Sequence, residues 1–264
     1  MDKKLNILIT GANGYIAKKI ISSISSEHSV LTISRQNFDL RSASETNKFF
    51  KKFNNDHFDF VIHTAISGGN RLKKDCYDDL CGNLRMFDNL TANKNKFRKL
   101  INLGSGAETY GLNTYYGLSK KIISKIIEEN FNFYNLKIFA VFDEDEDERR
   151  FIKTNINNHI NKKAIVIHKD KKMDFFYMKD LISVINFYLT NESLPKELDC
   201  SYKKHYKLSE IADMINCLSG HRVDIKYDKE GLDSNYTGTY KEIGLKYIGL
   251  KKAIREVYKN ITPK

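Results

Sequence analysis

No apolar run in this chain approaches the roughly 20 residues that a membrane-spanning helix needs, and the N-terminus lacks the apolar core of a signal peptide. Cysteine is scarce. Cys76, Cys81, Cys200 and Cys217 include no CxxC pair and have no histidine partner at zinc spacing, so neither a metal site nor a redox motif is expected. They read as reduced thiols of a cytoplasmic protein. Proline occurs twice, amid many Asn, Lys and Ile residues, a bias that reads as genome composition rather than as a polyanion site. No internal repeat is visible beyond the alternation described below.

What is present suffices for a core. The 264 residues are 41% hydrophobic and 12% aromatic, enough for one large α/β domain or a domain with a small lobe. The net charge of +11 comes from 44 basic and 33 acidic residues. Such a balance attracts phosphate-bearing ligands in general. The lysines are scattered as pairs, however, and no basic stripe with interleaved aromatics appears. Neither a nucleic-acid nor a membrane partner is expected.

The first half alternates between short apolar runs and helical periodicity, as a doubly wound sheet requires. Strands are expected over residues 5–10, 30–33, 58–63, 99–103 and 136–142, with helices over 15–25, 43–53, 77–93 and 115–131. Parallel neighbours need such crossovers, and these are overwhelmingly right-handed. The expected class is α/β: a Rossmann-type doubly wound parallel sheet with a small C-terminal substrate lobe. Residues 1–142, completed by about 171–201, would form the dinucleotide-binding domain. Residues 143–170 and 202–264 would form the lobe, with helices over 150–161, 208–218 and 250–260, while a helix over 178–190 falls in the segment that completes the first domain. The acidic run DEDEDE at 143–148 offers carboxylates to a cation, but its like charges repel and favour a solvated loop.

The chemistry begins at the first turn. Gly11-Ala12-Asn13-Gly14-Tyr15-Ile16-Ala17 follows the first strand and opens the first helix. Glycines there permit a tight turn and let a pyrophosphate approach the free N–H groups of a helix N-terminus. Gly11, Asn13, Gly14, Tyr15 and Ile16 are therefore cofactor-binding candidates. An NAD site usually carries an acidic residue about 20 positions further on. This chain has Ser34-Arg35 instead, and a guanidinium suits a 2′-phosphate. NADP(H) is favoured over NAD(H), although Arg35 also fits an ordinary surface position.

The motifs GANGYIA, Asp39-Leu40, DFVIHTAI (59–66), Asn83-Leu84, INLGSGAETYG (101–111), YGLSK (116–120) and MDFFYMKDL (173–181) occur in this order. Together they resemble the extended short-chain dehydrogenase/reductases, the nucleotide-sugar epimerase/dehydratase superfamily. Gly68-Gly69, followed by a helix containing DDLCGNL, is most similar to the GDP-fucose synthase branch. The resemblance implies a catalytic Ser105, Tyr116 and Lys120. It implies cofactor contacts from Asp39, Leu40, Thr64, Ala65 and Ile66, and from Tyr116 and Lys120 themselves. A nucleotide-diphosphate sugar is the implied substrate, and a homodimer through helices 77–93 and 115–131 the implied assembly. His63 stands where relatives carry His or Asn near the cofactor, and also fits a packed strand end. Asp180 corresponds to a helix-capping position.

Physical reasoning supports the trio. Tyr116 and Lys120 are four residues apart, on one face of a helix. A tyrosine working near neutrality must drop about 3 units from 10, or about 4 kcal/mol. One cation roughly 5 Å away contributes about 3 kcal/mol at an effective dielectric of 20. In ketone reduction the same tyrosine would donate its proton as hydride reaches the carbonyl carbon.

Departures from the family shape the expected reaction. Ser105 lies five residues before Tyr110 rather than four, which implies a one-residue insertion, with Gly106 at the usual register and Thr109 as a weaker alternative hydroxyl. The stretch from Tyr110 to Tyr116 is short, and Ala140 stands near where an Asn is often found. Elimination would want an Asp-Glu pair beside the hydroxyl residue, and only Glu108 is present; Gly106 and Glu108 are candidate substrate neighbours. Glu108 takes one proton-transfer role if the insertion shifts it inward, and His159 is a candidate second group, with a surface position preferred. Reduction of a nucleotide-linked 4-keto-(6-deoxy)sugar in surface polysaccharide or deoxysugar biosynthesis is the leading reading. An epimerase with tightly held NAD and a non-catalytic NADP(H)-binding module remain open.

Overall fold

The computed structural model describes residues 4–70 and 73–262. They divide into two compact units. The first takes the described residues up to Lys137 together with Tyr188–Leu198, and the second takes Ile138–Phe187 with the described residues from Asp199 onward.

The first unit alternates β1 (Asn6–Thr10), α1 (Tyr15–Ile24), β2 (Ser29–Ile33), α2 (Ala43–Phe50), β3 (Phe58–His63), α3 (Tyr77–Thr91), β4 (Phe97–Ser105), α4 (Ala107–Tyr110), α5 (Tyr115–Glu128) and β5 (Phe133–Ile138). With β9 (Glu197–Cys200) these strands make a six-stranded sheet among the described residues, in the order β2-β1-β3-β4-β5-β9. The pairs β1–β2, β1–β3 and β3–β4 run parallel, confirming the doubly wound α/β class. Leu8, Ile9, Val61, Leu100 and Ile101 are wholly buried, as strands covered on both faces require. At the edge, β2 alternates instead, leaving Ser29 and Leu31 exposed. Ala17, Ile20 and Ile24 form the buried stripe of α1, at the i, i+3, i+7 spacing of an amphipathic helix.

This strand order determines where a ligand can bind. The chain leaves β1 toward β2 on one side and returns to β3 on the other, so the loops after β1 and β3 diverge. Such a switch point at the carboxyl ends of the strands is the natural crevice of an open α/β sheet. The register places Thr10 beside His63, and His63 beside Asn102, so the strand ends facing that crevice are level.

The second unit holds β6 (Val141–Phe142), α6 (Phe151–Ile160), β7 (Ile165–Ile167), β8 (Phe176–Tyr177), most of α7 (Met178–Thr190), α8 (Leu208–Asn216), β10 (Ile225–Tyr227) and α9 (Leu250–Ile261). Its core gathers Ile152, Ile156, Ile211, Ile215, Ile254 and Val257. Short parallel pairs, β6 with β8 and β7 with β10, brace it.

Two expectations need correction. The apolar run over 136–142 is two strands, β5 and β6, separated at Phe139-Ala140; the Ala140 carbonyl accepts from the Phe176 N–H, turning the chain to a new partner without any polar residue to mark the break. The DEDEDE run is not a fully solvated loop. Asp143 and Glu146 are each 4% exposed, and Glu146 accepts from the Lys153 N–H and pairs with Arg150. No helix among the described residues is long and apolar enough to cross a membrane.

Candidate functional site

The loops after β1 and β3 touch at the crevice. Gly11 has φ +70, and a Cβ there would stand 2.6 Å from the Ala65 Cα and 2.7 Å from its nitrogen. Only glycine allows both that backbone and that approach. The Gly14 N–H closes the turn onto the Gly11 carbonyl at 2.9 Å. Gly14 then serves as N-cap of α1 without a side-chain cap, so the first-turn N–H groups keep their positive end for an anion. Beneath this turn, Thr64 Oγ1 donates to the Thr10 carbonyl at 2.6 Å, and Thr10 Oγ1 lies 2.8 Å from His63 Nδ1.

A cavity of about 210 Å³ opens here. Gly11, Asn13 and Gly14 line it from the first turn, Ser34, Arg35, Asp39 and Leu40 from beyond β2, and Thr64, Ala65 and Ile66 from beyond β3. Tyr15 and Ile16 stand beside it in the first turn of α1. Arg41, hydrogen-bonded to Asp39, holds that carboxyl below the usual range. The glycine cradle and the open helix N-terminus fit a dinucleotide.

Ser105 ends β4, 7% exposed. Its Oγ accepts the Ala107 N–H at 3.1 Å, which leaves the hydroxyl proton available as a donor. Gly106, in helical conformation, is the N-cap of α4, a single turn. Thr109, the alternative hydroxyl, is exposed. The N-cap of α5 is Thr114, whose hydroxyl accepts the Gly117 N–H at 3.0 Å. A Cβ on Gly117 would fall 2.0 Å from the Gly111 carbonyl oxygen, so α5 starts tight against the end of α4.

From α5, Lys120 reaches inward. It is 5% exposed; its Nζ donates to the Leu103 carbonyl at 2.6 Å and lies 6.0 Å from the Tyr116 ring centroid. Burial lowers its pKa to about 8, with the Glu108 carboxylate acting in the opposite direction. Tyr116 itself is half-buried. Its ring lies against the Gly68-Gly69 loop, where a Cβ on Gly69 would stand 2.9 Å from Cε2. Asn83 ties this loop to α5. Its Oδ1 accepts the Ser67 N–H at 2.7 Å, and its Nδ2 donates to Ser119 Oγ at 3.0 Å.

Glu108, a candidate substrate neighbour, is turned inward. Its side chain is 1% exposed and turned under β4: Oε1 accepts the Ser105 N–H at 2.8 Å and Oε2 accepts from Asn135 Nδ2 at 2.9 Å. Gly104 makes room for it, because a Cβ there would be 2.4 Å from Glu108 Oε1. His159, expected at the surface, is wholly buried and stacked on His221 at 4.4 Å. The rings exchange hydrogen bonds with each other's backbone carbonyls, and no motif in the sequence joins two histidines 62 positions apart. His63, 2% exposed, is lowered to about 3 by burial and by the nearby Lys120. Asp180 caps α9 rather than its own helix, accepting the Ile248 and Gly249 N–H groups at 2.8 and 3.1 Å. Sequence reasoning gave no role to Asn83, Asn135 or Lys137; Asn83 alone had a signal, its motif.

Together the fold and cleft define a dinucleotide-binding α/β protein. Residues 7–200 match the sequence profile of the NAD dependent epimerase/dehydratase family, and the chain is an enzyme of that family. Among solved structures it is similar to MlghC, the GDP-mannoheptose C4 reductase of Campylobacter jejuni with NADP bound, at TM-score 0.81 and 17% identity over 98% of each chain. Bordetella bronchiseptica WbmG, in complex with NAD and UDP, matches at TM-score 0.79 and 17% identity, over 98% of this chain and 95% of that one. A GDP-L-fucose synthetase from Naegleria fowleri matches at TM-score 0.76 and 15% identity, over 98% and 93%. No curated protein matched the sequence.

Proposed function

We propose that the protein reduces the 4-keto group of a nucleotide-linked deoxysugar, with NADPH preferred over NADH. The observation that carries this reading is the burial of Glu108. Elimination, or epimerisation at C3 or C5, needs a carboxylate or similar group free to move protons on sugar carbons. The one carboxylate beside Ser105 is instead occupied beneath β4. What remains suits hydride transfer: a hydroxyl at the end of β4, a tyrosine, and a buried lysine.

When bound in the glycine cleft, the reduced cofactor supplies hydride to the carbonyl carbon. Ser105 donates its hydroxyl proton to the substrate carbonyl oxygen and orients it. Tyr116 delivers its phenolic proton to the same oxygen as negative charge develops there. Lys120, charged below about 8, stabilises the phenolate that Tyr116 leaves behind. Arg35 at the mouth of the cavity supports the preference for a 2′-phosphate. The second unit would take the nucleotide-sugar. We also propose a homodimer through α3 and α5, which expose Tyr77, Tyr115, Leu118 and Ile126.

The test follows loss of reduced-nicotinamide absorbance with GDP-, dTDP-, CDP- and UDP-4-keto-6-deoxysugars, using NADPH and NADH. Turnover with one nucleotide, lost by at least about a thousandfold in Tyr116→Phe, is expected. Tight NADPH binding without oxidation by any of these sugars would overturn the reductase and favour an epimerase or a binding module.

A further inference from the structure

Buried beneath the catalytic trio is a set of charges that the reaction does not consume. Glu108 from α4 faces Lys120 from α5 and Lys137 from β5, whose Nζ lies 4.0 Å from Glu108 Oε2. Lys137 in turn pairs with Glu197 of β9 at 2.8 Å, and Glu197 also accepts from Ser124 Oγ of α5 at 2.7 Å. On the β3 side, Lys120 faces His63, whose low pKa keeps it neutral. Glu108 is thus the anion opposite Lys120 in a pocket that otherwise disfavours charge.

Burial raises the Glu108 pKa, and its hydrogen bonds and the two lysines act against burial by favouring the ionised form. Both oxygens face donors, the Ser105 N–H and the Asn135 amide, and a protonated carboxyl would have to turn its own hydrogen toward one of them. Asn135 is held for this role, since its Oδ1 accepts Asn102 Nδ2 at 2.7 Å. The socket is built: a glycine at 104 to admit the carboxylate, a backbone donor on one side and a side-chain donor on the other.

We propose that Glu108 is a positioning residue of the catalytic centre, anchoring the Ser105 backbone and serving as the countercharge that keeps Lys120 cationic. It touches neither substrate nor cofactor. Its effect reaches the chemistry through Lys120, whose positive charge favours proton release from Tyr116. The part concerning turnover rests on the reductase reading; the part concerning charge does not.

The two are separated by titrating ε-13C-lysine-labelled protein by NMR without cofactor or substrate, the Lys120 signal being assigned by its loss in Lys120→Arg. A midpoint near the value set by burial is expected in the wild type, falling by about 1 to 3 units in Glu108→Gln and restored in Glu108→Asp, which keeps the charge. An unchanged midpoint in Glu108→Gln overturns the proposal. Should that variant fail to fold, labelling glutamate in the wild type decides instead: Glu108 titration must appear as an inflection in the Lys120 signal, and its absence overturns the proposal. In turnover, the alkaline limb of the kcat/KM profile moves to lower pH in Glu108→Gln, cutting activity at pH 8 by about tenfold or more. A shifted Lys120 midpoint in a protein that oxidises no NADPH would uphold the charge role while removing the reductase.

Discussion

Gly69 governs a side chain by having none. Its backbone, at φ +72, lies so close to the Tyr116 ring that a Cβ would stand 2.9 Å from Cε2 and 3.0 Å from Cζ. An alanine there is strained in the backbone and must also push the ring aside. In the proposed reduction Tyr116 has to reach a developing oxyanion, so a displacement of an ångström matters far more than the lost stability. Gly69→Ala should lower kcat by about 10- to 100-fold, while NADPH affinity, proposed to be set by the loops around Gly11 and Arg35, should stay near the wild-type value. Gly220→Ala is the control, because its added Cβ meets nothing within 4 Å. Steady-state kinetics beside a direct NADPH titration read the two effects separately. Equal losses in kcat and cofactor affinity would show that the loop serves the cleft and not the tyrosine.

Among the elements, α9 depends on a residue far from it in the chain. Gly249, its N-cap, has no side chain, and Asp180 at the start of α7 fixes the chain entering the helix by accepting the Ile248 and Gly249 N–H groups while also accepting the Tyr202 hydroxyl. Asp180→Ala would strand three part-buried donors, and about 3 kcal/mol of stability should go with them. Urea unfolding measures the loss, and hydrogen exchange over Leu250–Ile261 should show α9 opening first. The same element shows what a sequence can reveal. The periodicity over 250–260 announces an amphipathic helix, and YMKDL marks Asp180 as a cap, but nothing local says that its partner is the N-cap Gly249, 69 residues later. In the first unit the cues were local: an apolar run, a glycine turn, an amphipathic stripe. The strands, the glycine cradle and the Tyr116–Lys120 face could therefore all be read. Hidden were α4, one turn too short for any periodicity, and the inward turn of Glu108, which depends on Asn135 and Gly104 across the sheet. Also hidden was the burial of Glu146, because a run of acids looks solvated until its donors from α6 are known.

At the scale of the whole molecule, the two units should answer pH with opposite signs. In the first, burial lowers His63 from 6.5 to about 3. Between those values the unfolded chain binds the extra proton and the native state does not. The neutral imidazole's contribution is therefore complete above about 6.5 and is lost as the pH falls. In the second unit, burial raises Glu146 from 4.5 to about 8. Here the native state holds a proton that the unfolded chain releases, so stability is complete below about 4.5 and drains away as the pH rises through 8. Glu146→Gln removes that titration while keeping the shape. The variant should match the wild type near pH 4 and exceed it near pH 8, on the order of 2–4 kcal/mol. His63→Gln should run the other way, gaining on the wild type as the pH falls from 7 to 4. Hydrogen exchange over Phe151–Ile160 and over Phe58–His63, with each variant compared with wild type at the same pH, assigns the change to its unit. If Glu146→Gln gained nothing between pH 4 and pH 8, Glu146 would have to be ionised in the folded state, its charge carried by the Arg150 pair against the cost of burial.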